Sequence, residues 1–255
     1  MTSPIRAVIS DLDGVVWRGE APIPEAVATL SGWSARGVPL AFVTNNSACS
    51  AQEFATRLQG LGIAVDPGHV ITPIEALDAL LRDRHAGARV YVIGAEALSD
   101  AVRAAGATVV TGPEADVVVL GTDYGLSFEK LRIATNALLG GAVLVATNPD
   151  TLSPVADGFE PCVGSLVALF KAAVPGLETI VLGKPQPALL RAAMARLGAA
   201  AHETVMIGDQ VSTDIRAAEA AGVRGFRITT NPHQVARPDD PLHEVIDRLD
   251  EIAPA

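Results

Sequence analysis

Short apolar segments alternate along this chain with longer segments whose apolar residues recur every three or four positions. The short segments have the length of buried strands, and the longer ones have the spacing of amphipathic helices. Strands that alternate with helices in this way pair in parallel, with helices on both faces of the sheet. The pattern predicts an α/β fold with a doubly wound, Rossmann-like parallel sheet. After the first strand, which ends at Asp11, the predicted strands are residues 38–43, 70–71, 89–94, 117–121, 143–146, 178–182, 204–207 and 225–228, and residues 244–252 are predicted to form the last helix.

The middle third of the chain has its own succession of strands. After it, at Leu182-Gly183-Lys184, the chain again has a predicted strand that ends in a polar residue, the pattern seen in the first third. We therefore expect a core formed by residues 1–77 and 181–255, with a smaller α/β domain inserted at residues 78–180. A chain of 255 residues is long enough for both.

Composition excludes several classes of function. The net charge of −10 argues against nucleic-acid binding, which needs clustered Lys and Arg. No apolar run approaches the roughly 18 residues of a membrane helix, and the N-terminus carries no signal-peptide core. The two cysteines, Cys49 and Cys162, lie far apart and have no metal-binding spacing. We expect free thiols and a cytoplasmic location.

The first predicted strand stops on two carboxylates, Asp11 and Asp13, followed by Gly14. Like charges so close repel each other unless a cation lies between them, and Mg²⁺ prefers oxygen ligands of this kind. Gly14 permits a sharp turn or a close approach to a ligand. Taken alone, the segment could equally be a strand that ends in a polar turn.

Other predicted strands also end in polar residues, and the ends of parallel strands are where ligands bind. A hydroxyl, an amide and an ammonium suit a phosphoryl group, and the acidic pairs suit Mg²⁺ bridging it to the protein. A carboxylate such as Asp11 can attack phosphorus, and Asp13 can serve as the second acid that protonates the leaving alkoxide. The remaining polar strand ends supply Thr44, Asn45, Lys184, Asp209 and Asp214.

The chain is similar to the haloacid dehalogenase-like phosphatases, whose four motifs occur here in order. The insert containing Asn148 and Asp150 resembles the α/β cap of subfamily IIA, which includes NagD-like, p-nitrophenyl phosphate, phosphoglycolate and pyridoxal phosphate phosphatases. The motifs are Asp11-Leu12-Asp13-Gly14-Val15, Thr44-Asn45-Asn46-Ser47, Gly183-Lys184-Pro185 and Gly208-Asp209-Gln210-Val211-Ser212-Thr213-Asp214-Ile215.

The resemblance implies a role for each acidic motif residue. Asp11 would be the nucleophile and a metal ligand, and Asp13 the general acid and base that gives the metal its backbone carbonyl. Asp209 would bind Mg²⁺ directly, and Asp214 would hold a metal-bound water or orient Lys184.

The resemblance also implies how substrate is held. Thr44, Asn45 and Asn46 would bind the phosphate, and Lys184 would neutralise the nucleophile and the phosphoryl oxygens. In the cap, a loop carrying Asn148, Asp150, Leu152 and Ser153 is expected to set specificity for the leaving group. The pyridoxal phosphatase has an aromatic residue and a histidine where this chain has Leu152 and Ser153, which disfavours pyridoxal phosphate as a substrate.

The expected function is Mg²⁺-dependent hydrolysis of small phosphate monoesters through an aspartyl phosphate. Sugar, glycerol, glycolate and nucleotide phosphates are candidate substrates, with p-nitrophenyl phosphate as an assay substrate. We expect no nucleic-acid or membrane partner, and caps of the resembled subfamily often pair, which suggests a homodimer through the cap.

Four alternatives are considered at this point. A phosphoryl-transferring mutase can use the same fold, although mutases usually carry a smaller helical cap. A receiver-like signalling protein uses similar residues, but receivers are about half this length and order them differently along the chain. A dehalogenase would lack the acid at Asp13, and an inactive binding protein is disfavoured because every motif position holds a competent residue.

Overall fold

The computed structural model describes residues 4–155, 158–230 and 240–255. The chain forms two compact units. The first unit consists of the residues up to Thr44 together with Ala51–Ile71 and Lys184–Ala255. The second unit consists of Asn45–Ser50 and Thr72–Gly183. The predicted borders of the inserted domain are residues 78 and 180. The longer segment of the second unit begins six residues before the first border, at Thr72, and ends three residues after the second, at Gly183. The identity of that unit as a cap remains a prediction.

The elements follow the predicted alternation of strands and helices. The strands are β1 (Ala7–Ser10), β2 (Trp17–Arg18), β3 (Ala21–Pro22), β4 (Leu40–Val43), β5 (Val70–Ile71), β6 (Arg89–Ile93), β7 (Thr108–Val109), β8 (Val117–Leu120), β9 (Val143–Ala146), β10 (Leu152–Val155), β11 (Gly158–Pro161), β12 (Thr179–Val181), β13 (Thr204–Gly208), β14 (Arg224–Ile228) and β15 (Glu244–Ile246). The helices are α1 (Pro24–Ala35), α2 (Ala51–Gly60), α3 (Pro73–Arg84), α4 (Glu96–Ala104), α5 (Phe128–Leu139), α6 (Val163–Ala173), α7 (Ala188–Leu197) and α8 (Arg216–Ala221). None of the helices in the described part of the chain has the length and apolar character needed to cross a membrane.

The sheet of the first unit is six-stranded and parallel, in the order β15-β14-β13-β1-β4-β5. From β1 the chain moves outward to β4 and β5, and later returns to β13 and moves outward on the other side. The direction of winding therefore reverses between β1 and β13. In open α/β sheets the ligand site lies at such a reversal, beyond the carboxyl ends of the strands.

The central strands of this sheet are buried along their whole length. All four residues of β1 and all four of β4 are buried, as a parallel sheet covered on both faces requires. Helix α1 buries Ala26, Leu30 and Trp33, the three residues whose spacing predicts one apolar face.

The second unit contains a five-stranded parallel sheet in the order β12-β9-β8-β6-β7. Its strand β8 is fully buried, and apolar clusters from the flanking helices cover both faces of the sheet. The predicted doubly wound α/β fold is confirmed. A further two-stranded antiparallel hairpin, β10–β11, extends from this unit.

Two predictions about local structure are wrong. Residues 244–252 do not form a helix, because Glu244–Ile246 pairs in parallel with β14 and only Leu249–Glu251 makes a short 3₁₀ turn. The buried residues of this segment lie three apart, a spacing that fits a helix, but the open edge of β14 supplies backbone partners instead. Likewise, the segment around Leu152 is a strand of the β10–β11 hairpin and not a loop.

Candidate active site

Asp11 follows β1 at the reversal point of the first sheet. Its amide N–H donates to the carbonyl of Ile207 on β13 at 2.8 Å, so the backbone stays paired one residue beyond the strand. Its side chain is 8% exposed, and Oδ1 accepts a hydrogen bond from the N–H of Leu12 at 2.8 Å. Burial and fixed hydrogen bonds thus hold this carboxylate in one position.

The chain turns sharply directly after Asp11. Gly14 has a φ of +84°, a conformation that favours glycine, and its N–H donates to the carbonyl of Trp17 at 2.7 Å. Asp13 lies on this turn, where its Oδ1 accepts from the indole Nε1 of Trp17 at 3.0 Å. The regular strand therefore ends before Asp13, which agrees with the sharp turn that Gly14 permits.

Gly14 also has a second function. A Cβ atom at this position would lie 2.5 Å from a carboxylate oxygen of Asp209. The absence of a side chain lets the acidic turn after β1 and the acidic end of β13 come together. The predicted close approach at Gly14 thus brings it against a protein carboxylate.

Lys184 provides the positive charge of the site. Its side chain is buried, with Nζ 2.8 Å from Oδ1 of Asp11 and 2.6 Å from Oδ1 of Asp214. Nζ also donates to the carbonyl oxygen of Val43 at the end of β4 at 3.1 Å. One ammonium group thereby connects the ends of three elements of the first unit.

The electrostatics of this cluster follow from its burial. Burial raises the pKa of Asp11 well above its ordinary value, as does the nearby charge of Asp214, while Lys184 opposes the shift. For Lys184, burial favours the neutral amine, but Asp11 and Asp214 outweigh it and raise the pKa of the ammonium. Lys184 is therefore a permanent cation in this site.

Asp214 is held by an unusual turn after β13. Residues Val211–Ile215 form a π-helical turn, and α8 begins directly after it. Oδ2 of Asp214 accepts from the N–H of Gln210 at 3.0 Å, while Oδ1 faces Lys184. Gly208 leaves no room for a Cβ beside the Asp214 side chain. Both carboxylate oxygens of Asp214 are thus bound to protein groups.

Three buried carboxylates meet at this position and could hold a metal ion. One oxygen from each of Asp11, Asp209 and Asp214 lies within 4.8 Å of the others. With Lys184 as the nearby cation, the group carries a formal charge of −2 in a buried space, which a divalent cation would balance. Carboxylate oxygens are also the ligands that hard cations such as Mg²⁺ prefer. The residues present therefore fit a divalent metal.

Thr44 follows β4 and reaches the same group. It is buried, and its Oγ1 lies 3.4 Å from Oδ2 of Asp13 as a weak donor. The first unit therefore brings together Asp11, Asp13, Thr44, Lys184, Asp209 and Asp214 at the carboxyl ends of its strands.

The remaining residues of the Thr44 motif belong to the second unit. Nδ2 of Asn45 donates to Oδ2 of Asp150 at 3.0 Å, and the Oγ of buried Ser47 donates to Oγ1 of Thr147 at 3.1 Å. Asn46 is half-buried, and its Oδ1 accepts from the N–H of Ala48 at 2.9 Å. Asn45 and Asn46 are thus fixed by contacts within the second unit.

The four residues predicted to set specificity differ in exposure. Asn148 is 2% exposed and hydrogen-bonded on both sides of its amide, whereas Asp150 is half-buried. Leu152 is 55% exposed on β10, and Ser153 beside it is half-buried. Within this set, the hairpin residues offer the more accessible surface.

Sequence reasoning missed several groups that build the site. Trp17 donates to the Asp13 carboxylate, and its position four residues later, at the start of β2, gave no recognisable signal. The carbonyl of Val43 and the N–H of Gln210 are backbone groups, which carry no residue-type signal at all. Gly208 and Gly183 were noted as motif members, but their steric role depends on contacts that only the fold creates.

Known proteins are similar to this chain in sequence and in fold. A haloacid dehalogenase-like hydrolase family model matches residues 8–108, and a second model of HAD-like hydrolases matches residues 181–252. A dihydroxyacetone phosphatase of Corynebacterium glutamicum is 34% identical over 84% of this chain and 78% of its own length. The 5′-nucleotidase YutF of Bacillus subtilis is 33% identical over 98% of both chains.

Solved structures agree with these matches. A thermostable NPPase from Geobacillus stearothermophilus superposes with a TM-score of 0.86 at 30% identity, over 98% of each chain. The glycerol phosphate phosphatase Rv1692 of Mycobacterium tuberculosis in complex with magnesium gives a TM-score of 0.79 at 35% identity, over 90% of this chain and 69% of that one. The chain belongs to the haloacid dehalogenase-like hydrolases, as a NagD-like phosphatase of subfamily IIA. It is a phosphoric monoester hydrolase that acts on small-molecule phosphates.

Proposed function

We propose that this phosphatase is Mg²⁺-dependent and works through a phosphorylated Asp11. The observation that carries the proposal is the buried contact of 2.8 Å between Lys184 and Asp11, within a cluster that includes Asp209 and Asp214. A nucleophilic carboxylate must be ionised, and a fixed cation at this distance favours that state. Burial opposes it, so further positive charge is needed.

Magnesium would supply that charge. Asp11, Asp209 and the backbone carbonyl of Asp13 would hold the ion, which would withdraw electron density from the phosphoryl oxygens and help keep Asp11 ionised. Asp214, whose two oxygens already face Lys184 and Gln210, would orient Lys184 instead of binding the metal directly. Rv1692, a similar phosphatase, has been solved with magnesium and with calcium, which supports a divalent cation.

The chain's own residues account for the proton transfers and the bond changes. A carboxylate oxygen of Asp11 attacks phosphorus, the bond from phosphorus to the ester oxygen breaks, and Asp13 gives its proton to the leaving alkoxide. Asp13 then takes a proton from water, whose oxygen attacks phosphorus and releases inorganic phosphate, so that Asp11 is regenerated. Trp17 orients Asp13 for both steps through its indole N–H.

Thr44, Asn45, Asn46 and Lys184 would hold the phosphoryl oxygens, as hydrogen-bond donors and a cation suited to a gain in negative charge. The leaving group is a small phosphate monoester, with sugar, glycerol, glycolate and nucleotide phosphates as candidates. Similar proteins are named for dihydroxyacetone phosphate, glycerol phosphate and nucleotides, which supports this class without selecting one member. Leu152 and Ser153 are proposed to contact the leaving group.

Hydrolysis of p-nitrophenyl phosphate tests the mechanism. We expect activity with Mg²⁺, none in EDTA, and recovery when Mg²⁺ is restored. Asp11→Asn should fall below about 1% of wild-type turnover with an unchanged circular dichroism spectrum and melting temperature. Hydrolysis without metal would refute the metal site, and residual turnover above that level would refute Asp11 as nucleophile.

A panel of phosphate monoesters with inorganic phosphate as the readout tests the substrate class. Exchange of Leu152 and Ser153 for residues of other sizes should change the order of substrate preference and leave p-nitrophenyl phosphate turnover nearly intact. An equal loss on every substrate would show that the hairpin acts structurally. Pairing of two chains through the second unit stays a prediction, which light scattering of the purified protein would check.

A further inference from the structure

Asn45 lies where the chain passes from one unit to the other. Thr44 belongs to the first unit, and Asn45, the next residue, belongs to the second. Two contacts of Asn45 come from the segment after β9, at Asn148 and Asp150.

These contacts hold both the side chain and the backbone of Asn45. Oδ2 of Asp150 accepts from Nδ2 of Asn45 at 3.0 Å. Nδ2 of Asn148 donates to the carbonyl oxygen of Asn45 at 2.9 Å. The two bonds have similar lengths, but a hydrogen bond to a charged carboxylate is stronger than one between neutral groups, so Asp150 is the stronger of the two restraints.

Asp150 is itself held rigidly. Its N–H donates to Oδ1 of Asn148 at 3.1 Å, and its carbonyl accepts from the N–H of Gly164 at 2.7 Å at the start of α6. A Cβ at Gly164 would overlap the carbonyl oxygen of Pro149 and lie 2.8 Å from that of Asp150. This backbone can approach α6 so closely only because residue 164 is glycine.

Asn148 is buried too deeply to contact a leaving group. It is 2% exposed, its Nδ2 is bound to Asn45, and its Oδ1 accepts from Asp150 and lies 3.6 Å from Sγ of Cys162. Asn148 therefore supports Asn45 and does not contact the variable part of the substrate.

We propose that Asp150 is a positioning residue for phosphoryl binding, which acts through Asn45 and with Asn148 as its support. The proposal rests on the proposed role of Asn45 as a phosphate-binding residue. The carboxylate orients the Asn45 amide and polarises its N–H groups. This assignment differs from the leaving-group role expected for Asp150 from the sequence.

Inorganic phosphate is the ligand that separates the two roles, because it has no leaving group. We would measure kcat and KM for p-nitrophenyl phosphate, glycerol phosphate and a nucleoside monophosphate, together with the inhibition constant of inorganic phosphate. Asp150→Ala should lower kcat/KM by about 10- to 100-fold, by a similar factor for all three substrates, and weaken phosphate inhibition. Asp150→Asn should recover most of the loss, because its amide oxygen can still accept from Asn45.

Two further variants protect the test against misfolding. Asp150→Ser keeps a polar group but is one atom shorter, and it should show the same uniform loss. Asp116→Ala is the matched control, since Asp116 is an exposed carboxylate of the same unit that pairs with Arg89, and its kinetics should match those of the wild type. Urea unfolding of each variant reports whether the fold is retained.

A double-mutant cycle decides whether Asp150 acts through Asn45. In an Asn45→Ala background, Asp150→Ala should cause little further loss. Full additivity would overturn the proposal, as would losses confined to one substrate with phosphate inhibition unchanged. Failure of the proposed function itself would show differently, as a wild-type protein that is active without metal or an active Asp11→Asn variant.

Discussion

Two strands of this protein, one in each unit, end in the same dipeptide, Thr-Asn. Thr44 and Asn45 follow β4, and Thr147 and Asn148 follow β9. The backbones agree as well, because each threonine N–H donates to the neighbouring strand, to Ile71 at 3.2 Å and to Leu120 at 2.9 Å. A strand end with this sequence thus has the same local form in both units.

The surroundings of the two strand ends differ in charge. Thr44 shares its unit with a buried group of Asp11, Asp209, Asp214 and Lys184, and its hydroxyl points at a carboxylate. Thr147 is completely buried, and its hydroxyl accepts from the neutral hydroxyl of Ser47. The same residue type therefore has a different role in each unit. Thr44 can take part in the reaction because charged groups surround it, whereas Thr147 only stabilises the fold.

The largest effect on stability and activity is expected when the buried cation of the first unit is removed, in comparison with an exposed cation of the second unit. We expect Lys184→Met to reduce the free energy of unfolding by about 3–5 kcal/mol and to abolish phosphatase activity, because it leaves two buried carboxylates without their cation. Arg132→Met is the control, since Arg132 pairs with Glu129 at 2.6 Å and both side chains are more than half exposed. It should change stability little and leave turnover unchanged. Urea unfolding measures the stability of both variants, and p-nitrophenyl phosphate hydrolysis measures their activity. Equal losses in the two variants would contradict the expected difference between the buried and the exposed cation.

A smaller effect is expected at Gly183, where the two Thr-Asn segments meet. A Cβ there would overlap Oδ1 of Asn45 and lie 2.6 Å from the carbonyl oxygen of Thr147. Gly183→Ala should therefore destabilise the protein by about 1–3 kcal/mol and lower activity through a displaced Asn45. Gly32→Ala, inside α1 with open space around it, should instead stabilise by about 0.5–1 kcal/mol. Thermal unfolding would show opposite shifts, and a neutral Gly183→Ala would argue against tight packing.

Matched valine substitutions test the two threonines directly. Thr44→Val should lower kcat/KM at least about tenfold with little change in stability, because it removes one donor from the site. Thr147→Val should cost about 1–3 kcal/mol because it leaves the buried Ser47 hydroxyl without its acceptor, and the folded protein should keep its activity. The reverse pattern in turnover and urea unfolding would refute the division of roles.

The prediction with the smallest expected effect on the enzyme concerns the thiol of Cys162, which lies beside Asn148. Burial, and then the negative charges of Asp150 and Glu160, raise the pKa of Cys162 to about 11. At pH 8 only about 1 in 1,000 molecules would carry the reactive thiolate, so disulfide-exchange reagents should modify Cys162 slowly. A Cys49→Ser variant isolates this thiol, and guanidinium-unfolded protein gives the reference rate. Fast modification of the folded variant below pH 9 would contradict the raised pKa of the Cys162 thiol.

Much of the fold was predictable because its signals are local. The alternation of apolar runs with helical spacing gave the parallel α/β architecture, and the polar strand ends gave the residues of the first-unit site. The strand at residues 244–246 was not predictable in this way, because Ile246, Leu249 and Ile252 have the spacing of a helix. Its pairing depends on the edge of β14, nearly twenty residues earlier, which no local pattern reports.

The sequence alone therefore determined the chemistry available at each strand end: two acids and a glycine after β1, Thr-Asn after β4, and Lys184 beyond β12. Tertiary structure decided which of these groups meet. It placed Lys184 between Asp11 and Asp214, placed Gly14 against Asp209, and joined Asn45 to Asp150 across more than a hundred residues of chain. The physical reason is that residue types and periodicity are local properties, whereas burial, hydrogen-bond partners and charge neutralisation arise between segments far apart in the sequence.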